Sequence, residues 1–287
     1  MKIFTVFVLC TTATGFLFQP EVVVAEAVPS APGISETSPN AYPGEARIRD
    51  VAFISRRDQT EQRYVVVFPE AFREGDRHDV LIALHGHGSD RWQFVKDPRD
   101  ECRATRDVAA KYKMIFISPD YRAKTSWMGP AAEDDLVQII GEVKEKYHAG
   151  KVYLCGGSMG GTASLTFAVL HPELIAGVAS MNGTANLVEY ENFQDAIQES
   201  YGGTKAEVPE EYKKRSAEFF PARLTMPVGI TAGGRDDVVP AASVLRLVKS
   251  LDEMGRRVLL VYRETGGHET NYEDARAILE FVLNKQE

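Results

Sequence analysis

A short apolar run that ends in Gly-Gly-Ser-Met-Gly-Gly constrains this chain more than any other stretch. The stretch covers residues 152–161, with Ser158 flanked by Gly156 and Gly160. In this spacing a serine stands on a sharp turn from a strand into a helix, and its hydroxyl projects above the end of the sheet. The N–H groups at the start of the helix stabilise negative charge that develops beside it. We therefore predict that Ser158 is a nucleophile.

Apolar runs and segments of helical periodicity alternate through most of the chain. Strands separated by helices of 10 to 15 residues indicate right-handed crossovers. The pattern predicts an α/β fold, a mostly parallel sheet flanked by helices on both faces, with its site at the carboxyl ends of the strands. The predicted strands, of which the first two form an antiparallel hairpin, are 51–55, 63–68, 80–84, 114–118, 152–156, 175–181, 227–232 and 258–262.

A serine nucleophile requires an imidazole base, and the base requires a carboxylate that fixes its tautomer. Of the six histidines, only His268 follows Ser158 with a predicted strand and a turn directly before it. We predict that His268 is the base. Asp236 follows the preceding strand and is the predicted acid, with its neighbour Asp237 as the alternative and Glu264 as a more distant one.

The sequence His85-Gly86-His87-Gly88 follows the predicted strand 80–84. A tetrahedral intermediate needs two hydrogen-bond donors, and we expect them to be the backbone N–H groups of His87 and Met159. The side chains of His85 and His87, with Asp90 nearby, have a rival interpretation as metal ligands. Against it, no further histidine follows at ligand spacing.

Large side chains on the loops around the predicted cleft are candidates for a substrate pocket. Trp92, Tyr121 and Trp127 occupy these loops, and we expect them to form an acyl or sugar pocket. Ordinary packing is the alternative for each of them.

The chain opens with a lysine, an apolar stretch and a small-x-small site, which is typical of a secretory signal peptide. We predict a signal peptide over 1–27, a flexible lead over 28–46 and export to the periplasm or the medium, without stable membrane insertion after cleavage. An uncleaved membrane anchor is the alternative. Cys102 and Cys155 would remain after cleavage, as a disulfide in an oxidising compartment or as buried thiols.

The remaining chain, 47–287, is long enough for one catalytic domain. Residues 182–224 interrupt the alternation of strands and helices with a polar, acidic insertion, which we call the cap segment and expect to cover or rim the cleft. The formal net charge is −8 and no basic stripe is present, so a nucleic acid is not an expected partner. The sequence leaves the oligomeric state open.

These motifs resemble those of the α/β-hydrolase superfamily, and within it the catalytic domain of the prolyl oligopeptidase (S9) family and related secreted esterases. The resemblance covers roughly 47–284 and includes the segments 84–88 and 156–161, Asp236 ahead of Val239-Pro240, and Gly267-His268. It implies a Ser-Asp-His hydrolase without a metal or an organic cofactor. Prolyl oligopeptidases carry a further propeller domain, for which this sequence has no room.

That departure favours small-molecule or glycan esters as substrates over peptides. We expect a carboxylic-ester hydrolase that forms an acyl-enzyme on Ser158. A small peptidase with the same triad is the alternative, and a non-catalytic binding protein on a hydrolase scaffold is a more distant one.

Overall fold

The computed structural model describes residues 22–24, 47–70 and 72–283. The predicted signal peptide and flexible lead lie outside the described residues, except for a strand at Val22–Val24. That strand falls inside the segment predicted to be cleaved.

Strands of the described residues form one mostly parallel sheet of nine. In chain order they are β1 (Val22–Val24), β2 (Ile48–Ile54), β3 (Glu61–Val67), β4 (Val80–Leu84), β5 (Ile115–Pro119), β6 (Val152–Gly157), β7 (Gly177–Met181), β8 (Val228–Gly233) and β9 (Val258–Arg263). Across the sheet the order is β1-β9-β8-β7-β6-β4-β5-β3-β2. β3 pairs antiparallel with β2 and with β5, and the other pairs are parallel. The predicted fold class is confirmed.

Helices cover both faces of this sheet. They are α1 (Gln93–Lys96), α2 (Asp100–Lys111), α3 (Pro130–Lys146), α4 (Met159–Leu170), α5 (Gln194–Tyr201), α6 (Pro209–Lys214), α7 (Ala242–Glu253) and α8 (Tyr272–Leu283). Periodicity did not predict α1, α5 and α6, because four to eight residues are too few to show it. Within the described ranges, no helix has both the length and the apolar composition to cross a membrane.

Successive side chains of each strand enter two different core clusters, because they point to opposite faces of the sheet. On β4, Ile82 and Leu84 pack with apolar residues of α3, α4 and α7. Leu81 and Ala83 pack on the other face with residues of α2 and α8. The second cluster also holds Cys102 and Cys155, which are both free thiols, so the alternative of a disulfide between them is not realised.

The cap segment contributes apolar side chains to the core, although its composition is polar and acidic. Ile197 and Tyr201 of α5 and Tyr212 of α6 are buried in the same cluster as α3 and α4. Arg215, directly after α6, is buried too, and its guanidinium lies 2.6 Å from the Glu133 carboxylate of α3. The segment is therefore attached to the main core through apolar packing and an ion pair between a buried arginine and a half-buried glutamate.

The turn from β6 into α4 is packed backbone against backbone. A Cβ atom on Gly160 would lie 1.9 Å from the carbonyl oxygen of Leu84, and a Cβ atom on Gly156 would lie 2.4 Å from the carbonyl oxygen of Gly160. Neither contact can relax by a side-chain rotation. Glycine at these two positions lets α4 start directly against β4.

We predict that Gly160→Ala lowers the free energy of unfolding by about 2 kcal/mol or more, because the new methyl group overpacks a backbone contact. Gly141→Ala is the matched control: nothing lies within 4 Å of its Cβ position on α3, and alanine should stabilise that helix by up to about 1 kcal/mol. Urea unfolding measures both changes. Equal effects of the two substitutions would contradict the close packing.

The ion pair of the cap segment should also give the protein an acid-sensitive stability. Burial alone would raise the pKa of Glu133, but His171 and Arg215 together lower it from 4.5 to about 2. The unfolded chain then takes up this proton at a higher pH than the folded one. The stabilisation, about 3 kcal/mol at most, is present above pH 4.5 and is lost as the pH falls towards 2.

Denaturant unfolding between pH 2 and pH 7 measures this loss. Glu133→Gln should flatten the acid side of the stability profile, whereas Glu145→Gln, at an exposed position of the same helix, should leave it unchanged. Superimposable profiles for the wild type and Glu133→Gln would refute the assignment.

Candidate active site

Ser158 stands at the junction of β6 and α4 in a backbone conformation that serine rarely adopts. Its φ is +57° and its ψ is −118°, so the residue is strained, as side chains held in functional turns commonly are. The peptide group is fixed on both sides. Its N–H donates to the carbonyl oxygen of Met181 over 2.8 Å, and its carbonyl accepts from the N–H of Thr162 over 3.0 Å.

The structure brings His268 and Asp236 to this serine from two other strand ends. The Nε2 atom of His268 lies 2.9 Å from the Oγ atom of Ser158, and its Nδ1 atom lies 2.7 Å from the Oδ2 atom of Asp236. β6, β7, β8 and β9 are successive neighbours in the sheet, so loops far apart in sequence meet at one edge. The three side chains form a continuous hydrogen-bonded chain.

Of the neighbouring aspartates, the structure places Asp236 beside the imidazole. Its Oδ1 atom accepts the backbone N–H groups of Val238 and Val239 over 3.0 and 2.8 Å, which leaves Oδ2 for the imidazole. The carboxylate is therefore oriented by its own turn. Asp237 is exposed, and so is Glu264.

The two predicted oxyanion donors belong to neighbouring segments, since a Cβ atom on Gly86 would lie 3.5 Å from the carbonyl oxygen of Gly157. Met159 is the first residue of α4, where N–H groups have no acceptor within the helix and the helix dipole is positive. His87 follows β4, and the peptide groups around it are anchored: the Gly86 N–H donates to Gln93 Oε1 over 2.7 Å, and the Gly88 N–H donates to the Lys124 carbonyl over 2.9 Å.

The side chains of His85 and His87 are not arranged as a metal pair. The ring nitrogens of His85 lie 2.8 and 3.0 Å from the carbonyl oxygens of Gly86 and Asp120. Burial lowers the pKa of His85, although these carbonyls oppose the shift. The Nδ1 atom of His87 accepts a hydrogen bond from Trp127. Within the described ranges, no group of three or more His, Cys, Asp or Glu side chains is placed to hold a metal ion.

The predicted substrate pocket needs correction. Tyr121 is 2% exposed and Trp127 is 0% exposed, so neither presents surface to a substrate. Both support the loop after β4 instead: the Tyr121 hydroxyl donates to the carbonyl of His85 over 2.5 Å, and the Trp127 indole reaches His87. Trp92 is half-buried beneath the Lys96 ammonium, 3.9 Å from its ring centroid, and its place in the pocket stays a prediction.

Two residues of the cap segment join the site without having been predicted from the sequence. The side chain of Asn182 donates to the carbonyl oxygens of Gly267 and Glu269 over 3.1 and 3.4 Å, so it binds the residues before and after His268. The ring of Phe193 packs 4.4 Å from that of His87 and is 37% exposed. Asn182 directly follows β7, and this position at a strand end is the sequence signal that could have identified it as a site residue.

The arrangement is suited to nucleophilic acyl transfer. A base within hydrogen-bond reach of a hydroxyl, a carboxylate that orients the base, and backbone donors beside the hydroxyl are the groups that this chemistry requires. Their distances fall in the range expected of groups poised for proton transfer.

Comparisons with known proteins identify the family to which the chain is similar. A family model described as the prolyl oligopeptidase family matches residues 122–286, more than half of the chain. The 2-hydroxy-6-oxononadienedioate/2-hydroxy-6-oxononatrienedioate hydrolase of Escherichia coli K12 is 28% identical over 112 residues, which are 38% of this chain and 37% of that relative. The chain therefore matches well under half of the length of this curated relative.

Solved structures share the fold at low identity. A ferulic acid esterase superposes with a TM-score of 0.64 at 14% identity, over 82% of this chain and 97% of that one. The acylaminoacyl peptidase of Pyrococcus horikoshii superposes with a TM-score of 0.61 at 17% identity, over 83% of this chain and 40% of that one.

The two neighbouring aspartates make a sharp test of the site. Asp236→Asn should lower kcat by about 10³-fold to 10⁴-fold, because an amide neither stabilises the imidazolium nor fixes the required tautomer. Asp237→Asn changes the same functional group at an exposed position and should retain activity within about twofold of the wild type. Steady-state kinetics on one accepted substrate, with thermal unfolding as the folding control, measures both. Similar kcat values for the two variants would refute Asp236 as the acid.

Proposed function

The chain belongs to the prolyl oligopeptidase family of serine hydrolases, and we propose that it hydrolyses carboxylic esters through an acyl-enzyme on Ser158. The observation that carries the proposal is the chain of contacts from Asp236 through His268 to the Ser158 hydroxyl, at 2.7 and 2.9 Å. A serine alcohol is a weak nucleophile at neutral pH, and this contact supplies the base that it lacks.

In the acylation step the Ser158 oxygen attacks the ester carbonyl carbon while His268 Nε2 takes the hydroxyl proton. The carbonyl oxygen becomes an oxyanion, and the N–H groups of His87 and Met159 donate to it. His268 then gives the same proton to the departing alkoxide, which leaves as an alcohol. Asp236 stays ionised and stabilises the imidazolium throughout.

Deacylation repeats these steps with water. His268 removes a proton from a water molecule as its oxygen attacks the acyl carbon. The second tetrahedral intermediate is held by the same two donors. Its collapse returns the proton to Ser158 Oγ and releases the carboxylic acid, so the enzyme is regenerated without an external reagent.

Two considerations favour esters over peptides as substrates. An alkoxide is a better leaving group than an amide nitrogen, so the barrier that the enzyme must lower to expel it is smaller. The match also extends over 97% of the ferulic acid esterase and only 40% of the acylaminoacyl peptidase. Export through a signal peptide over 1–27 is part of the same proposal, and it fits an ester or glycan-ester substrate outside the cytoplasm.

The second candidate is a serine peptidase with the same catalytic groups. It draws on the family match and on the shared fold of the acylaminoacyl peptidase. Both candidates predict a serine-dependent acyl-enzyme, so only the bond that is cleaved separates them.

A panel of p-nitrophenyl acetate, butyrate and octanoate, methyl ferulate, acetylated xylan and an aminoacyl anilide tests the proposal. We expect ester turnover that is unaffected by EDTA and falls at least about 10³-fold in Ser158→Ala. Ser250→Ala, on α7, is the matched serine control. Anilide cleavage at comparable efficiency would establish the peptidase instead.

Labelling by a fluorophosphonate separates both enzymes from a binding protein. The wild type should be labelled and Ser158→Ala should not. If the wild type hydrolysed none of the substrates and was not labelled, the assignment of a serine hydrolase activity would be overturned.

A further inference from the structure

The loop before α3 is held by the cap segment at three consecutive carbonyl groups. The Ser200 hydroxyl donates to the carbonyl of Ser126, the Tyr201 hydroxyl donates to that of Trp127 over 3.0 Å, and the Arg215 guanidinium donates to that of Met128 over 2.7 Å. Three donors from α5 and the end of α6 thus act on three successive peptide groups.

This loop has an unfavourable backbone conformation. Trp127 and Met128 have φ values of +45° and +55°, in the left-handed region that bulky side chains avoid. Such conformations persist only where surrounding contacts hold them in place, and they are common at functional sites. The three hydrogen bonds from the cap segment provide these contacts.

Arg215 is itself rigidly held. Its side chain is 0% exposed, and it lies 2.6 Å from Glu133 and 3.2 Å from Glu211. The second carboxylate oxygen of Glu133 lies 2.9 Å from the Nε2 atom of His171. A buried guanidinium with all of these partners has one orientation, so the donor to the Met128 carbonyl is fixed.

Trp127 directs the one polar atom of its side chain at His87. The indole N–H donates to the Nδ1 atom over 3.2 Å, and the indole is donor only, so Nδ1 must be the unprotonated nitrogen of a neutral ring. Burial lowers the pKa of His87, which keeps the ring neutral. The proton is then on Nε2, and the ring is held between the indole, at 6.0 Å, and Phe193, at 4.4 Å.

We propose that Trp127 is a positioning residue of the oxyanion hole: its indole fixes the ring of His87 in the Nε2–H tautomer, and the cap segment braces the indole through Tyr201 and Arg215. The proposal rests on the proposed function, in which the backbone N–H of His87 is one of the two oxyanion donors. The cap segment then has a role besides shaping the cleft, because it keeps the loop after β4 in place beside the start of α4.

A donor that is used fully only in the transition state affects kcat rather than KM. Removal of a whole oxyanion donor lowers kcat by about 10²-fold to 10³-fold. Trp127→Phe keeps the backbone N–H of His87 and removes only the indole contact that fixes the His87 ring. We therefore expect kcat to fall about tenfold, with KM within about twofold of the wild type. Tyr112→Phe, at an exposed aromatic residue directly after α2, is the control and should keep both constants.

Two further measurements separate positioning from a general structural effect. In a His87→Phe background, which has no Nδ1 acceptor, Trp127→Phe should cause no additional loss of kcat. Nitrogen-15 NMR of the imidazoles should show one tautomer of His87 in the wild type and in Tyr112→Phe, and a mixture of two in Trp127→Phe.

Tyr201→Phe provides a second test in case Trp127→Phe does not fold, because it removes only the hydroxyl that donates to the Trp127 carbonyl. We expect about a threefold fall in kcat with KM unchanged. Unchanged kcat in both variants, an equal loss in the His87→Phe background, or a single unaltered tautomer in Trp127→Phe would overturn the proposal. A wild type without Ser158-dependent turnover would instead overturn the proposed function, and this inference with it.

Discussion

The contact between the carbonyl oxygen of Leu84 and the backbone of Gly160 is the constraint on which the site depends. It brings the start of α4 against the end of β4, so the first turn of the helix lies beside the loop that carries His87. The tight turn that permits this contact forces a positive φ on Ser158 and lifts its side chain out of the sheet. The strained backbone of Ser158 and the placement of the two proposed oxyanion donors thus arise from one packing arrangement.

Around this contact, the polar side chains at the strand ends hold one another in place. Asp236 is oriented by two backbone N–H groups of its own turn before it meets His268. Asn182 holds the carbonyls on both sides of His268, and its Oδ1 atom accepts from the hydroxyls of Thr231 and Thr270. Buried polar atoms of this kind are rigid because an unmade hydrogen bond would be costly there. The histidine therefore needs little reorganisation to act as a base.

The cap segment shows how far composition can mislead. Its many acidic and polar residues indicate a loosely attached rim, yet its buried tyrosines and Arg215 belong to the main core. The charges that make the segment polar in composition are partly used in ion pairs with α3 and α7, through Arg215 to Glu133 and through Glu218 to Arg246. The insertion is integrated with the fold and contacts the loop that carries Trp127 and Met128.

The sequence by itself determined the elements whose signals are local. Apolar runs marked the strands, the Gly-x-Ser-x-Gly spacing marked the turn at Ser158, and the order of strand ends pointed to Asp236 and His268. Only the tertiary structure shows that Asp236, and not Asp237, faces the imidazole, since both follow the same strand.

It also decided that Trp127 and Tyr121 are buried supports rather than pocket walls, and that Asn182 holds the histidine loop. The physical reason is the range of the interactions. A periodic pattern reports which side chains share a face of one element, whereas the Trp127 carbonyl meets Tyr201, and the Met128 carbonyl meets Arg215, across more than 70 residues of chain. Contacts of that span leave no periodic trace in the sequence and exist only once the sheet and its helices have assembled.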